Sequence, residues 1–203
     1  MCIRDRDKVG VTSTVSDKSV HVGSVGLAGN HRDGFGGGGL STFSLIGSAG
    51  HVDINTPEAL AVDEITAQSD GGFQKLGFSA TRLQNVTERV SLYASISGQL
   101  ASKNLNIFEK MPLGGPYGVR AYPVGEAYSD EAYVATLEVR YLLPRVWDDM
   151  PGQMHLVGFA DIGTGIINKD PWTNGDNRRT LSGAGIGLTW ADYKNFMANM
   201  YYA

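Results

Sequence analysis

Arg120 is the residue whose surroundings promise chemistry. It sits in Leu113-Gly114-Gly115-Pro116-Tyr117-Gly118-Val119-Arg120-Ala121-Tyr122-Pro123, a run of Gly, Pro and aromatic residues that favours a shaped loop over a floppy one. A guanidinium is planar and permanently charged. It can hold a carboxylate with two hydrogen bonds and still stack on an aromatic ring. A carboxylate in an unusual place lies downstream. Phe159-Ala160-Asp161-Ile162-Gly163 alternates so that Phe159, Asp161 and Gly163 share the polar side of a strand. Asp is depleted in strands, and one inside a strand is best explained by a partner. The plainer reading of Arg120 is an exposed turn with a solvated side chain.

Other chemistry-bearing patterns carry less. Gly34-Phe35-Gly36-Gly37-Gly38-Gly39 matches G-x-G-x-x-G, but a strand-like run, Leu40-Ser41-Thr42-Phe43-Ser44, follows where a dinucleotide site needs a helix. It reads as a flexible turn. His21, His31, His51 and His155 are scattered without metal-ligand spacing, so no metal site is expected from them. No Ser stands in a nucleophile elbow, and the chain is read as non-enzymatic. Asn85-Val86-Thr87 fits a glycosylation pattern and is read as chance.

The elements that would position Arg120 and Asp161 are strands. Residues 90–101 alternate most cleanly: Val90, Leu92, Ala94, Ile96, Gly98 and Leu100 against Ser91, Tyr93, Ser95, Ser97 and Gln99. Similar alternation runs over 132–143, 153–166, 181–190 and 195–203. Coarser strands are expected at 19–29, 40–54 and 73–86, with 9–15 as the tail of another. Connections alternate between short (84–89, 191–195, with 144–152 moderate) and long (55–71, 103–131, 168–180). Apolar-out, polar-in strands of about 9–11 residues with this loop rhythm suit a transmembrane barrel with a wet lumen. The count is about nine, and bacterial single-chain barrels close with an even number, so an incomplete barrel is expected.

Composition agrees. Gly at 27 and charged residues at 19% suit many strands joined by turns. A net charge of -4 leaves no basic footprint, so nucleic acid is not expected as a partner. The first six residues, Met1-Cys2-Ile3-Arg4-Asp5-Arg6, are what ATG TGT ATA AGA GAC AGR encodes. That string resembles the end of a sequencing-library transposase adapter. Residues 1–6 are therefore set aside as non-native, and 7–203 are read as the C-terminal part of the barrel domain.

On these residues a family resemblance becomes specific. Gly114 to Ala127, read as GGPYGVRAYPVGEA, resembles the lumen loop of the haemolysin-activator and filamentous-haemagglutinin transporter family, the pores of two-partner secretion. Leu137-Glu138-Val139-Arg140-Tyr141 resembles that family's following strand, and Phe159 to Gly163 its wall motif. Asp170-Pro171-Trp172-Thr173 and the run Asn177 to Gly185 resemble its penultimate loop and strand. The likeness covers most of residues 103–203. It departs at Ala121, where Gly is usual; the small side chain is kept but the freer backbone is lost.

The resemblance implies a 16-stranded barrel entered here near its seventh strand and left at its fifteenth, preceded in the full-length protein by two periplasmic polypeptide-binding domains. It implies an outer-membrane pore that secretes an unfolded exoprotein, an adhesin or haemolysin, by type V secretion without cofactor. Partners are then the exoprotein and outer-membrane lipid. Arg120 would hold the loop tip, supported by Gly114, Gly115, Val119 and Tyr122. Asp161 would anchor it on a wall with Phe159 and Gly163, and Glu138 and Arg140 would line the lumen. Stacking of Arg120 is expected on Tyr122 or Phe159. The alternatives are a barrel-assembly insertase of the same superfamily, a passive porin and a soluble β-sandwich.

Overall fold

The structure, a computed structural model, describes residues 2–9, 13–145, 147, 149–192 and 195–203, with backbone alone for 2–9 and 13–15. It is built from β1 (Cys2–Val9), β2 (Ser13–Asp33), β3 (Gly39–Ile54), α1 (Pro57–Glu64), β4 (Gly71–Asn85), β5 (Val90–Ala101), β6 (Met111–Pro112), β7 (Tyr128–Ser129), β8 (Glu131–Leu142), β9 (Gln153–Ile166), β10 (Arg178–Asp192) and β11 (Phe196–Tyr202). Nine strands form one antiparallel sheet in the order β1-β2-β3-β4-β5-β8-β9-β10-β11. Sequence neighbours pair throughout, except that β5 meets β8 across the long loop that carries the small β6–β7 pair. β1 and β11 are the edges, and they do not meet. The architecture is thus an all-β, unclosed meander, as the alternation pattern and the strand count imply.

The boundaries differ from expectation mainly in the N-terminal strands and the first long connection, and β10 runs three residues earlier and two later than the 181–190 expected. The strand expected at 19–29 runs over the 21 residues of β2. Its polar ends keep pairing in register, Arg32 with Leu40 and Asp33 with Gly39, because a ladder needs backbone groups and not apolar side chains. The strand expected at 9–15 is divided: Val9 ends β1, Ser13 opens β2, and residues 10–12 lie outside the described residues. Residues 2–6, set aside as foreign, lie in β1. Main-chain pairing tolerates almost any sequence there, so the position does not speak to their origin. The connection after β3 also holds α1, with Pro57 at its first turn, where a missing N–H costs nothing.

Call the face that carries the long loop the inner face. Register places Ser79, Thr81, Ser95, Ser97, Thr136, Glu138, Phe159 and Asp161 on it. Cross-strand hydroxyl pairs line the β2–β4 part: Ser24–Ser48 at 2.8 Å, Thr42–Thr81 at 2.6 Å and Ser44–Ser79 at 3.2 Å. The opposite face is apolar and bare. Leu137 is 64% exposed, Ile186 61% and Val139 52%, with Leu92, Ile96 and Leu156 beside them. A continuous apolar surface of this kind marks a contact with something other than water.

Two small cores lie on the inner side. Val20, Val52, Ile54, Phe73, Ala101 and Leu105 are covered by Ala59 and Leu60 of α1. Leu113, Val119, Ala132, Val134 and Leu181 pack the long loop onto the sheet. Both cores pair a sheet wall with a segment from a long connection, so the long connections are packed structure.

Candidate functional site

The loop between β5 and β8 holds its own shape before it touches the wall. Val119 N–H donates to Leu113 O at 2.8 Å, Gly118 N–H to Gly115 O at 3.0 Å and Gly115 N–H to Tyr122 O at 3.0 Å. Gly115 takes φ +113°, a backbone that side-chain-bearing residues avoid. At Gly114 a Cβ would stand 2.5 Å from Pro123 O, and at Gly118 it would stand 2.2 Å from Leu113 O. These glycines let the loop double back on itself and present Arg120 downward.

Arg120 meets three acceptor atoms of the wall. Its Nε donates to Asp161 Oδ2 at 2.9 Å, its Nη2 to Asp161 Oδ1 at 2.8 Å and its Nη1 to Glu138 Oε1 at 2.7 Å. Its backbone N–H adds a further bond to Asp161 Oδ2 at 3.1 Å. The two-pronged contact with Asp161 is the geometry that a guanidinium provides and an ammonium does not. Asp161 also accepts from Thr136 Oγ1 at 2.9 Å, directly across the β8–β9 ladder. The Asp161 side chain has no exposed surface, and those of Glu138 and Arg120 are 5% and 8% exposed.

Glu138 is shared. Its Oε2 accepts from Arg140 Nε at 2.8 Å and faces Arg140 Nη2 at 2.7 Å. Charges therefore alternate along Asp161, Arg120, Glu138 and Arg140, and the chain of four is neutral. Burial works against the charge on Arg120, but hydrogen bonds to Asp161 and Glu138 outweigh it, and its pKa is raised. The guanidinium lies 3.6 Å over the Phe159 ring and 4.9 Å over Tyr201, while Arg140 lies 4.5 Å over Tyr93. Phe159 and Tyr201 meet edge to face at 5.7 Å.

Most residues singled out in the sequence come together here. Arg120, Asp161, Glu138, Arg140 and Phe159 form one cluster. Gly163 lies under the loop, where a Cβ would be 3.1 Å from Val119 and 3.4 Å from Leu113. Val119 is fully buried. Tyr122 differs from expectation. It packs against the core of Leu113, Val119 and Leu181 and helps to shape the loop, and Phe159 and Tyr201 take the stacking role. The reason is the turn closed by Tyr122 N–H on Val119 O at 3.1 Å, which separates Tyr122 from Arg120.

Thr136, Tyr93, Tyr201 and Gly183 were not singled out. Alternation puts all four on the inner face, which was the available signal, but it cannot say which of many inner residues lie under a loop. The loop's base was missed as well. Asp130, fully buried, accepts from Leu105 N–H at 3.0 Å and Lys169 N–H at 2.8 Å, and pairs with Lys110 at 3.1 Å. Lys110 also reaches Ile167 O at 2.6 Å and Asn168 Oδ1 at 2.9 Å. Asn104 bridges Ala67 O at 2.7 Å and the backbone of Asp170 at 2.8 and 2.9 Å. The three long connections are thereby tied into one rim.

No protein-family model matches the chain. Over 170 residues it is 28% identical to the heme/hemopexin transporter protein HuxB of Haemophilus influenzae, with the same figures in two strains. The match covers 81% of the chain and 29% of that relative, so the chain spans under a third of the relative's length. Among solved structures, CdiB from Escherichia coli superposes with a TM-score of 0.54 at 16% identity, over 100% of this chain and 45% of CdiB. That likeness shows the fold. The resemblance read from residues 103–203 is borne out by a transporter relative in sequence and by CdiB in architecture.

Proposed function

We propose that this chain is a section of an outer-membrane pore that secretes an unfolded partner exoprotein, an adhesin or haemolysin, in a two-partner system. The observation that carries the reading is the ion-pair chain of Arg120, Asp161, Glu138 and Arg140, which pins a long loop to the polar inner face of an unclosed sheet. The bare apolar outer face suits lipid, and the hydroxyl-lined inner face suits a hydrated lumen. Trp190 and Phe196, stacked edge to face at 4.9 Å beside the short β10–β11 turn, fit the aromatic girdle of a membrane boundary.

The work done is non-covalent. A wet wall hydrates an extended backbone, and the loop occupies the passage until it yields. Arg120 is the latch, Asp161 its anchor, and Glu138 a second acceptor close enough to share it. Gly114, Gly115, Val119 and Tyr122 hold the loop tip in shape. Full-length protein would carry the remaining strands and periplasmic polypeptide-binding domains. The test is secretion of the partner into the medium by the full-length protein. Arg120→Ala and Asp161→Ala should each impair it; wild-type secretion by both would overturn the latch and the reading built on it.

A further inference from the structure

We infer that residues 121 and 183 form a size-complementary pair, with room between them for one methyl group, and that this pair sets how deeply the loop tip enters the inner face. The inference rests on reading the loop as the plug of a pore.

Gly183 of β10 lies directly across from Asp161 in the β9–β10 ladder. A Cβ built on Gly183 would stand 2.5 Å from the Cβ of Ala121, and 3.6 Å from both the Ala121 nitrogen and Val119 Cγ1. Carbon atoms in good contact sit about 3.5–4.0 Å apart, so both methyls cannot be present without movement. Nothing else in the space gives way easily. Ala121 has no rotamer to change, and its neighbour Arg120 is held on Asp161 through both main chain and side chain. A methyl on residue 183 must therefore lift the loop tip or break the latch.

The departure from glycine at position 121 acquires a meaning here. Ala121 is not among the residues with positive φ, so its backbone does not call for glycine. What matters is volume, and glycine at 183 supplies it. The same strand face repeats the device for the aromatic rings over Arg120. A Cβ on Gly185 would come within 2.7 Å of the Phe159 ring, and one on Gly187 within 2.3 Å of the Tyr201 ring. Gly29, Gly50, Gly98 and Gly165 of other strands are also closely approached, but by residues away from the loop tip, and at Gly158, on the outer face, nothing lies within 4 Å. The seat of the loop is thus encoded partly in β10, far along the chain from the loop, and Gly183 is a positioning residue.

The experiment compares full-length wild type, Gly183→Ala, Gly183→Ala with Ala121→Gly, and Gly158→Ala in planar bilayers. Limited proteolysis across residues 113–123 is measured alongside. Gly183→Ala should shift the ratio of closed to open pore by about tenfold toward open and expose the loop to cleavage. The double variant restores a single methyl and should return both readings to the wild-type level. Gly158→Ala should leave both unchanged. A Gly183→Ala protein with wild-type conductance and protection would overturn the pair, as would a double variant no closer to wild type than the single. If Gly183→Ala fails to assemble, assembly by the double variant supports the pair, and failure of both overturns it. A wild-type protein that makes no pore would overturn the pore reading alone, because protection of the loop still reports the seat.

Discussion

The two ends of the long loop are held by different chemistry. At its tip, charged side chains meet charged side chains: Arg120 with Asp161 and Glu138, and Glu138 with Arg140. At its base, side chains mostly satisfy main chain: Asp130 takes the N–H groups of Leu105 and Lys169 besides pairing with Lys110, Asn104 takes the N–H and reaches the carbonyl of Asp170, and Lys110 reaches the carbonyl of Ile167. Breaking the base leaves backbone groups of Leu105, Lys169, Asp170 and Ile167 without their side-chain partners. The tip can exchange one partner for another, because Glu138 already shares its two oxygens between two cations. A loop fixed at its root and exchangeable at its tip can swing without unravelling.

Four substitutions in the full-length protein would break or sharpen that contrast. Asp130→Ala should cost most, about 3–5 kcal/mol, because it orphans two N–H groups and a buried lysine contact. Urea unfolding should show the loss, with little folded protein recovered; a stable protein that merely conducts more would make the base resemble the tip. Asp161→Ala should cost about 3 kcal/mol, the lower end for a buried pair, since lumen water reaches the vacancy. Combined with Arg120→Ala it should add little in unfolding or secretion, and additive losses would mean that the two do not act as a unit. Glu138→Gln should cost about 1–2 kcal/mol, since Asp161 keeps its two-pronged grip. Pore opening should rise while the fold stays intact, and unchanged opening would remove Glu138 from the latch. Arg140→Ala should cost under about 1 kcal/mol, because that side chain is 32% exposed. Its effect should fade in high salt, whereas that of Asp161→Ala should not.

Legibility in the sequence followed the physics of each region. Strand alternation is local, so residues 90–101 and 153–166 could be bounded to the residue. Arg120 and Asp161 stood out because each has a costly side chain in a place that requires a partner. The base did not stand out. Asn104, Lys110 and Asp130 look like ordinary polar residues of a long connection, and their roles arise only when three connections converge. α1 was missed because its eight residues carry no periodic apolar face long enough to read. β2 extends beyond the alternating stretch at 19–29 because its backbone pairing continues past the last alternating apolar residue.

The glycine row of β10 also bears on the strand's registration. Gly183, Gly185 and Gly187 repeat every second residue, so a shift of the strand by two positions would present the wall with nearly the same profile. The inner face of such a strand is degenerate in translation: side-chain shape along that face cannot distinguish one alignment from the next. The alignment must then be read at the ends. There Thr180 meets Thr164 at 2.9 Å, Leu181 is buried in the core beneath the loop, and the indole of Trp190 donates to Pro151 O at 2.8 Å. β10 behaves like a smooth rail with a stop at each end, and the stops fix which glycine lies beneath Ala121.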